Sequence, residues 1–171
     1  YRLTGRIVAT YDSILTSWVT DNRNSAQIRY DKQLLSLSGI DPEKFPEVVP
    51  CTTVIGNLTS QAAAELGLTT ATKVVAGAID TTAAAIGSGA VADYQPHLYI
   101  GTSSWIAAHV PKKKTDMFAS IAAVPCAIPS KYLMIAMQTT AGGNLNFLKE
   151  KILYHKDELL REEALPDVYK V

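Results

Sequence analysis

The chain has 171 residues, of which 47% are hydrophobic and 19% are charged, so it can form one packed domain of ordinary size. Sixteen basic residues balance 16 acidic ones, and this net charge of zero argues against nucleic acid and membrane surfaces as partners. The two cysteines, Cys51 and Cys126, are too few and too widely spaced for a disulfide framework or a metal knuckle. No apolar run approaches the roughly 20 residues of a membrane span, so we expect a soluble, cytoplasmic protein.

The first half of the chain carries the apolar spacing and the end signals of short helices. The predicted helices are residues 6–20, 30–37 and 61–66. The second is ended by Gly39, and the third lies between the capping hydroxyl of Thr59 and the terminating Gly67. Three prolines between residues 42 and 50 predict a crossing segment that is neither helix nor central strand.

The second half of the chain is rich in strand signals. An apolar run over residues 73–79 predicts a buried strand, and Asp80 follows it as the N-cap of an alanine-rich helix. Further elements are predicted as strands over 97–100, 105–110, 121–124 and 132–137, and as an amphipathic helix over 144–160. The composition changes near residues 92–96, which predicts a domain boundary there.

Three polar clusters interrupt these elements and could carry chemistry. Asp80 lies where a strand meets a helix, which is where α/β proteins bind ligands, and its carboxylate can accept a proton. The turn 101–104 offers hydroxyls and amides to phosphate oxygens, and residues 141–144 precede a helix whose free amides suit a nucleotide. Each cluster also has a purely structural interpretation, as a helix cap, a hairpin turn and a helix entry.

Taken in order, several segments resemble the FGGY family of carbohydrate kinases, and its xylulokinase-like members in particular. They are Leu3-Thr4-Gly5, Thr10-Tyr11-Asp12-Ser13 and residues 46–50, 54–56, 64–68, 74–80, 100–104 and 139–143. Each segment is short, but their order and spacing make the resemblance specific, and it covers almost the whole chain.

The resemblance implies an α/β protein of the actin-like, ribonuclease-H-like fold, in which two domains enclose a cleft. Residues 1–92 would form the C-terminal part of the sugar-binding domain, and residues 93–171 the first part of the ATP-binding domain. The family's N-terminal phosphate loop, which helps to hold Mg²⁺, and its later adenosine motif have no counterpart in this sequence. We therefore expect the middle third of such a kinase, inactive on its own.

The resemblance also implies roles for individual residues. Asp80 matches the general base that takes a proton from the sugar hydroxyl as its oxygen attacks the γ-phosphate. The sugar site would include Asp80, Thr81 and Trp105. The nucleotide would lie against Gly101, Thr102, Ser103, Gly142 and Asn146, with Thr102 nearest the transferred phosphate. No residue of this chain is expected to bind a metal ion.

The implied function is the ATP-dependent phosphorylation of a sugar or polyol, such as the pentulose xylulose, with ATP and Mg²⁺ as cofactors. The implied partner is a small-molecule sugar, and the parent enzyme would form a homodimer. The alternative is a non-catalytic, actin-like module that binds a sugar or nucleotide and transfers nothing. An Asp-x-Gly phosphate turn upstream in the parent sequence would distinguish the kinase from that module.

Overall fold

The structure is a computed structural model that describes residues 1–153. Its strands are β1 (Val8–Thr10), β2 (Thr20–Asp21), β3 (Arg29–Tyr30), β4 (Glu47–Val49), β5 (Val54–Asn57), β6 (Lys73–Val75), β7 (Pro96–Ile100), β8 (Ser104–Val110), β9 (Ile121–Pro125) and β10 (Tyr132–Gln138). Its α-helices are α1 (Lys32–Ser38), α2 (Ser60–Leu66), α3 (Asp80–Gly87) and α4 (Gly142–Phe147). Short 3₁₀ helices cover Ser13–Ser17 and Pro42–Lys44, and Leu148–Leu153 is π-helical.

The helices α1 and α2 confirm two of the predicted helices, together with their end signals. The carboxylate of Asp31 accepts hydrogen bonds from two backbone amides of the first turn of α1, and Gly39 ends this helix in the left-handed conformation. In α2, the Thr59 hydroxyl accepts from the backbone N–H of Ala62, and Gly67 ends the helix with φ of 67°. Local signals therefore determined both helices.

The helix predicted over residues 6–20 is wrong. This segment contains β1, the 3₁₀ helix Ser13–Ser17 and β2. Its apolar stripe does not face a core, because Ile7 is 66% exposed and Trp18 is 81% exposed, whereas the polar Asp12 is completely buried. Residues 8–10 form a strand and not a helix because they pair in parallel with β4, which lies about 40 residues later in the chain.

The segment with three prolines contains no α-helix and no central strand, as predicted, but it does contain the edge strand β4, which pairs with β1 in a two-stranded sheet. Pro46 and Pro50 lie immediately outside this strand, so they do not remove a hydrogen-bond donor from its interior.

The strand in the segment 73–79 is shorter and more exposed than the buried strand predicted there. Only β6 is a strand, paired with the unpredicted β5, and Gly77 lies beyond it in the left-handed region at φ 83°.

The four strands predicted in the second half are confirmed and form one antiparallel sheet in the order β7-β8-β10-β9. The helix α3 packs on one face of this sheet through a buried apolar cluster. Its buried members are Ala85, Ala107, Cys126 and Leu133. The cluster joins α3 to the sheet that follows it in the chain.

The predicted helix over residues 144–160 begins earlier than expected, at Gly142 of α4, and continues as the π-helical turn Leu148–Leu153. Residues 154–160 of that prediction lie outside the described part of the chain. Within residues 1–153, no helix has the length and apolar character needed to cross a membrane.

Candidate active site

The carboxylate of Asp80 lies exposed at the start of α3. Its Oδ1 accepts a hydrogen bond of 2.7 Å from the backbone N–H of Thr81 and a longer one of 3.3 Å from the Thr81 hydroxyl. None of the residues 1–153 donates a hydrogen bond to its Oδ2. One oxygen is thus oriented by the chain, and the other is open to accept a proton from a ligand.

The predicted capping role of Asp80 is wrong by one position. Ile79 is the N-cap of α3 and makes no side-chain cap hydrogen bond, whereas Asp80 is the first helical residue. An acidic side chain in the first turn is still favoured, because the helix N-terminus carries partial positive charge. The Asp80 carboxylate is therefore not occupied as the cap of α3.

The start of α3 is held instead by Asp12, which is fully buried. Asp12 Oδ1 accepts from the Thr10 hydroxyl at 2.6 Å and from the Cys51 thiol at 3.1 Å. Its Oδ2 accepts from the Ile79 backbone N–H at 3.0 Å and from the Thr82 hydroxyl at 2.5 Å. These four hydrogen bonds join β1, the loop after β4 and the first turn of α3.

Burial acts to raise the pKa of Asp12, but the hydrogen bonds from Thr10, Thr82, Cys51 and Ile79 outweigh it and hold that pKa below its usual value. Burial, together with the bond to this carboxylate, raises the pKa of the Cys51 thiol to about 12, so the thiol stays protonated and remains a donor. Asp12 is therefore an ionised carboxylate, and each of its oxygens accepts two hydrogen bonds.

From the sequence, Asp12 was predicted only to be part of a motif, and its burial beneath α3 was not predicted. A signal was present, because Asp12 is the only charged residue between Ile7 and Thr20. A single charge within an otherwise uncharged segment is a candidate for a buried, fully hydrogen-bonded group. Its partners could not be found in the same way, since three of them lie 39, 67 and 70 residues away in the chain.

The two glycine-containing loops, predicted separately, meet in the structure. The backbone N–H of Gly142 donates to the carbonyl of Gly101 at 2.8 Å, and that of Ala141 donates to the carbonyl of Thr102 at 2.7 Å. A Cβ atom at Gly142 would lie only 2.6 Å from the Gly101 carbonyl oxygen, so glycine permits this close approach. The contact brings four of the predicted nucleotide-site residues together, namely Gly101, Thr102, Ser103 and Gly142.

The joined loops leave polar groups free for a ligand. Thr102 is exposed, and its hydroxyl has no hydrogen-bond partner among residues 1–153. Asn146 is exposed on α4, four residues after Gly142 and so on the same side of the helix. Hydroxyl and side-chain amide groups of this kind can donate to phosphate oxygens without adding a formal charge.

Trp105 has an aromatic partner, Tyr99, that was not predicted from the sequence. Its indole stacks on the ring of Tyr99, with centroids 3.8 Å apart and planes 10° apart, because the two residues face each other in the hairpin β7-β8. The indole also packs against the cluster under α3, and its Nε1 is buried without a partner among the described residues. Trp105 and Ser104 border an open depression of about 400 Å³.

The described residues do not form a set of magnesium ligands. Among residues 1–153, no group of three or more histidine, cysteine, aspartate or glutamate side chains could hold a metal ion. Asp80 provides a single carboxylate, and Mg²⁺ usually combines one or two such groups with phosphate and water. We therefore assign no step of the chemistry to a metal held by these residues.

Comparison with known proteins gives a consistent set of relatives. The model for the N-terminal domain of the FGGY family of carbohydrate kinases matches residues 1–87. The chain is 31% identical over 106 residues to a xylulose kinase of Staphylococcus epidermidis, covering 62% of this chain and 21% of that protein. It is 29% identical over 169 residues to an L-fuculokinase of Escherichia coli, covering 96% of this chain and 35% of that protein.

Solved structures agree with these relatives. The crystal structure of ligand-bound xylulose kinase from Lactobacillus acidophilus is 27% identical and matches with a TM-score of 0.75, over 88% of this chain and 30% of that one. The chain thus spans about a third or less of the length of the relatives that it matches. Such neighbours have the actin-like, ribonuclease-H-like α/β fold. Because the family model covers more than half of its length, the chain belongs to the FGGY family of carbohydrate kinases.

Proposed function

We propose that residues 1–171 form the middle of an ATP-dependent sugar kinase, called the complete enzyme below. The observation that carries this proposal is the exposed Asp80 carboxylate, oriented through one oxygen and open at the other, in a chain of this family. Oδ2 of Asp80 takes the proton of a sugar hydroxyl while that hydroxyl oxygen forms a bond to the γ-phosphorus of ATP. The bond from this phosphorus to the bridging oxygen breaks, and ADP leaves with the electron pair.

The joined loops at Gly101 and Gly142 suit the phosphate end of the nucleotide. The free Thr102 hydroxyl would position the γ-phosphate, and Ser103 and Asn146 would contact the nucleotide further along. Phosphoryl transfer depends mainly on positioning and on electrostatic stabilisation, so fixed donors of this kind contribute to the rate. Mg²⁺ would neutralise charge on the phosphates, with ligands from outside the described residues.

The domain assignment follows from the same proposal. Residues 1–92 complete the sugar-binding domain, and residues 93–171 begin the ATP-binding domain. Thr81 and the indole of Trp105 lie on the sugar side with Asp80. We further propose that the complete enzyme works in the cytoplasm as a homodimer, which gel filtration with light scattering would test.

Asp80→Asn tests the general base. Asparagine keeps the shape and can still accept from the Thr81 N–H, but it cannot take up the proton, so we expect kcat to fall by about 10²- to 10⁴-fold. The complete enzyme would be assayed for ADP release with D-xylulose, L-fuculose and D-gluconate, chosen because relatives of this chain are a xylulose kinase, an L-fuculokinase and a gluconokinase. Asp31→Asn is a matched control, because Asp31 caps α1 and should leave turnover unchanged.

Near-normal turnover in folded Asp80→Asn enzyme would refute the assignment of the base. Binding of a sugar or of Mg·ATP by the wild-type protein without any transfer would instead support the non-catalytic, actin-like module. Isothermal titration calorimetry on the same preparation distinguishes this outcome from a simple loss of folding.

A further inference from the structure

The first turn of α3 depends on a residue far away in the sequence. Its N-cap, Ile79, has no side chain that can accept a hydrogen bond, and among residues 1–153 the Asp80 side chain bonds only to its neighbour Thr81. The backbone N–H of Ile79 and the hydroxyl of Thr82 are both bound by Oδ2 of Asp12. Asp80 therefore lies between Ile79 and Thr82, two residues that the same carboxylate oxygen holds.

Asp12 is too deeply buried to contact a substrate. It is 0% exposed, and its Oδ1 is occupied by the hydroxyl of Thr10 and the thiol of Cys51. A negative charge beside the N-terminus of a helix is favourable, and a buried charge persists only when it is well hydrogen-bonded. The arrangement thus orients the backbone around Asp80 and does not take part in the chemistry directly.

We propose that Asp12 is a positioning residue for phosphoryl transfer, because it fixes the direction in which the first turn of α3 presents Asp80. This inference rests on the proposed role of Asp80 as general base. A small displacement of a catalytic group lowers the rate of the chemical step, because the reacting atoms must lie within a narrow range of distance and angle. A change at Asp12 should therefore affect the chemical step more than ligand binding.

Asp12→Asn in the complete enzyme tests the proposal. Asparagine has one accepting oxygen for four donors, so at least two of the hydrogen bonds from Thr10, Cys51, Ile79 and Thr82 lose their acceptor. With D-xylulose and Mg·ATP we expect kcat to fall by about 10- to 100-fold while KM for ATP changes little. The control Asp31→Asn makes the same replacement at the cap of α1 and should change neither constant.

A double substitution separates positioning from mere stabilisation. If Asp12 acts through Asp80, Asp12→Asn should cost no further activity once Asp80→Asn has removed the base. An equal fold-loss in both backgrounds would overturn the proposal, as would unchanged kcat in folded Asp12→Asn. Should Asp12→Asn fail to fold, Thr82→Val removes a single donor, and we expect its kcat to fall by about three- to tenfold. Unchanged kcat in that variant would likewise overturn the proposal.

The two proposals can fail separately. Full activity of Asp80→Asn refutes the general base, whatever Asp12 does. Loss of activity in Asp80→Asn combined with full activity in Asp12→Asn refutes only the positioning role. Hydrogen exchange at the Ile79 amide gives a readout independent of activity, because this amide should exchange faster in Asp12→Asn than in wild type or in Asp31→Asn.

Discussion

Asp12 and Asp80 are the same residue type in opposite surroundings, and the surroundings separate their roles. Asp12 is buried with four donors around its two oxygens, so its charge is fixed and gaining a proton would break a hydrogen-bonded network. Asp80 is exposed, and none of residues 1–153 donates a hydrogen bond to its Oδ2, so this oxygen is accessible to a ligand. One carboxylate can hold the helix in place while the other is free to react.

The Thr102 hydroxyl and the Trp105 indole should have separable effects on the complete enzyme. Thr102→Val removes a free donor without changing volume, and we expect it to lower turnover with every sugar tried, by about 10-fold or more. Trp105→Ala should shift the preference among D-xylulose, L-fuculose and D-gluconate in kcat/KM. Thr102→Ser, which keeps the hydroxyl, is the matched control for the first variant.

The reverse pattern, with Thr102→Val changing sugar preference and Trp105→Ala lowering turnover uniformly, would contradict this division. Trp105 also stacks on Tyr99 and packs against the core, so Trp105→Ala should lower thermal stability. Its kinetics should therefore be measured well below the melting temperature of the variant.

At the scale of elements, the register of the sheet explains why the two glycine loops meet. Ser104 at the start of β8 faces Ile100 at the end of β7 on one side and Gln138 at the end of β10 on the other. The turn after β7 and the loop after β10 therefore leave the sheet at the same end. Antiparallel pairing thus brings the two loops together without a charged residue in either of them.

Gly142→Ala tests this junction. The new Cβ would lie 2.6 Å from a backbone oxygen that cannot move alone, so we expect a loss of about 1–3 kcal/mol in the free energy of unfolding, together with weaker ATP binding. Gly143→Ala is a close control, because a Cβ there meets nothing within 4 Å. Urea unfolding and calorimetric titration with ATP measure the two effects, and equal behaviour of both variants would contradict the prediction.

At the scale of the whole molecule, the sheet has one face under α3, and its opposite face is apolar and exposed around Leu98 and Ile106. Leu98 and Ile106 lie side by side on this second face and are 63% and 50% exposed. Exposed apolar surface of this kind, combined with an unpaired edge strand, favours association between chains. The described residues also lack a set of ligands for Mg²⁺.

We therefore expect the 171-residue chain alone to be inactive and to self-associate. Mg·ATP with D-xylulose should give no sugar phosphate above background, and calorimetry should show only weak nucleotide binding. Light scattering on the purified chain should report a mass larger than that of one chain. A monodisperse monomer that phosphorylates D-xylulose would show that these residues suffice for catalysis.

The sequence by itself determined the features that depend on near neighbours. The caps Asp31 and Thr59 and the terminating Gly39 and Gly67 delimit α1 and α2, because their hydrogen bonds span only a few residues. The strands of the antiparallel sheet were also predictable, since each contains a short apolar run of its own, which is a local signal. The short motifs, in their order, were sufficient to indicate the family.

Only the tertiary structure decided the conformation of residues 6–20 and the surroundings of Asp80. The apolar spacing of that segment fits a helix, but β1 gains its hydrogen bonds from β4, about 40 residues later in the chain, which a local pattern cannot anticipate. Asp12 holds the first turn of α3 through residues 67 and 70 positions away. The candidate base was visible in the sequence, whereas the carboxylate that orients it became visible only when the fold brought these segments together.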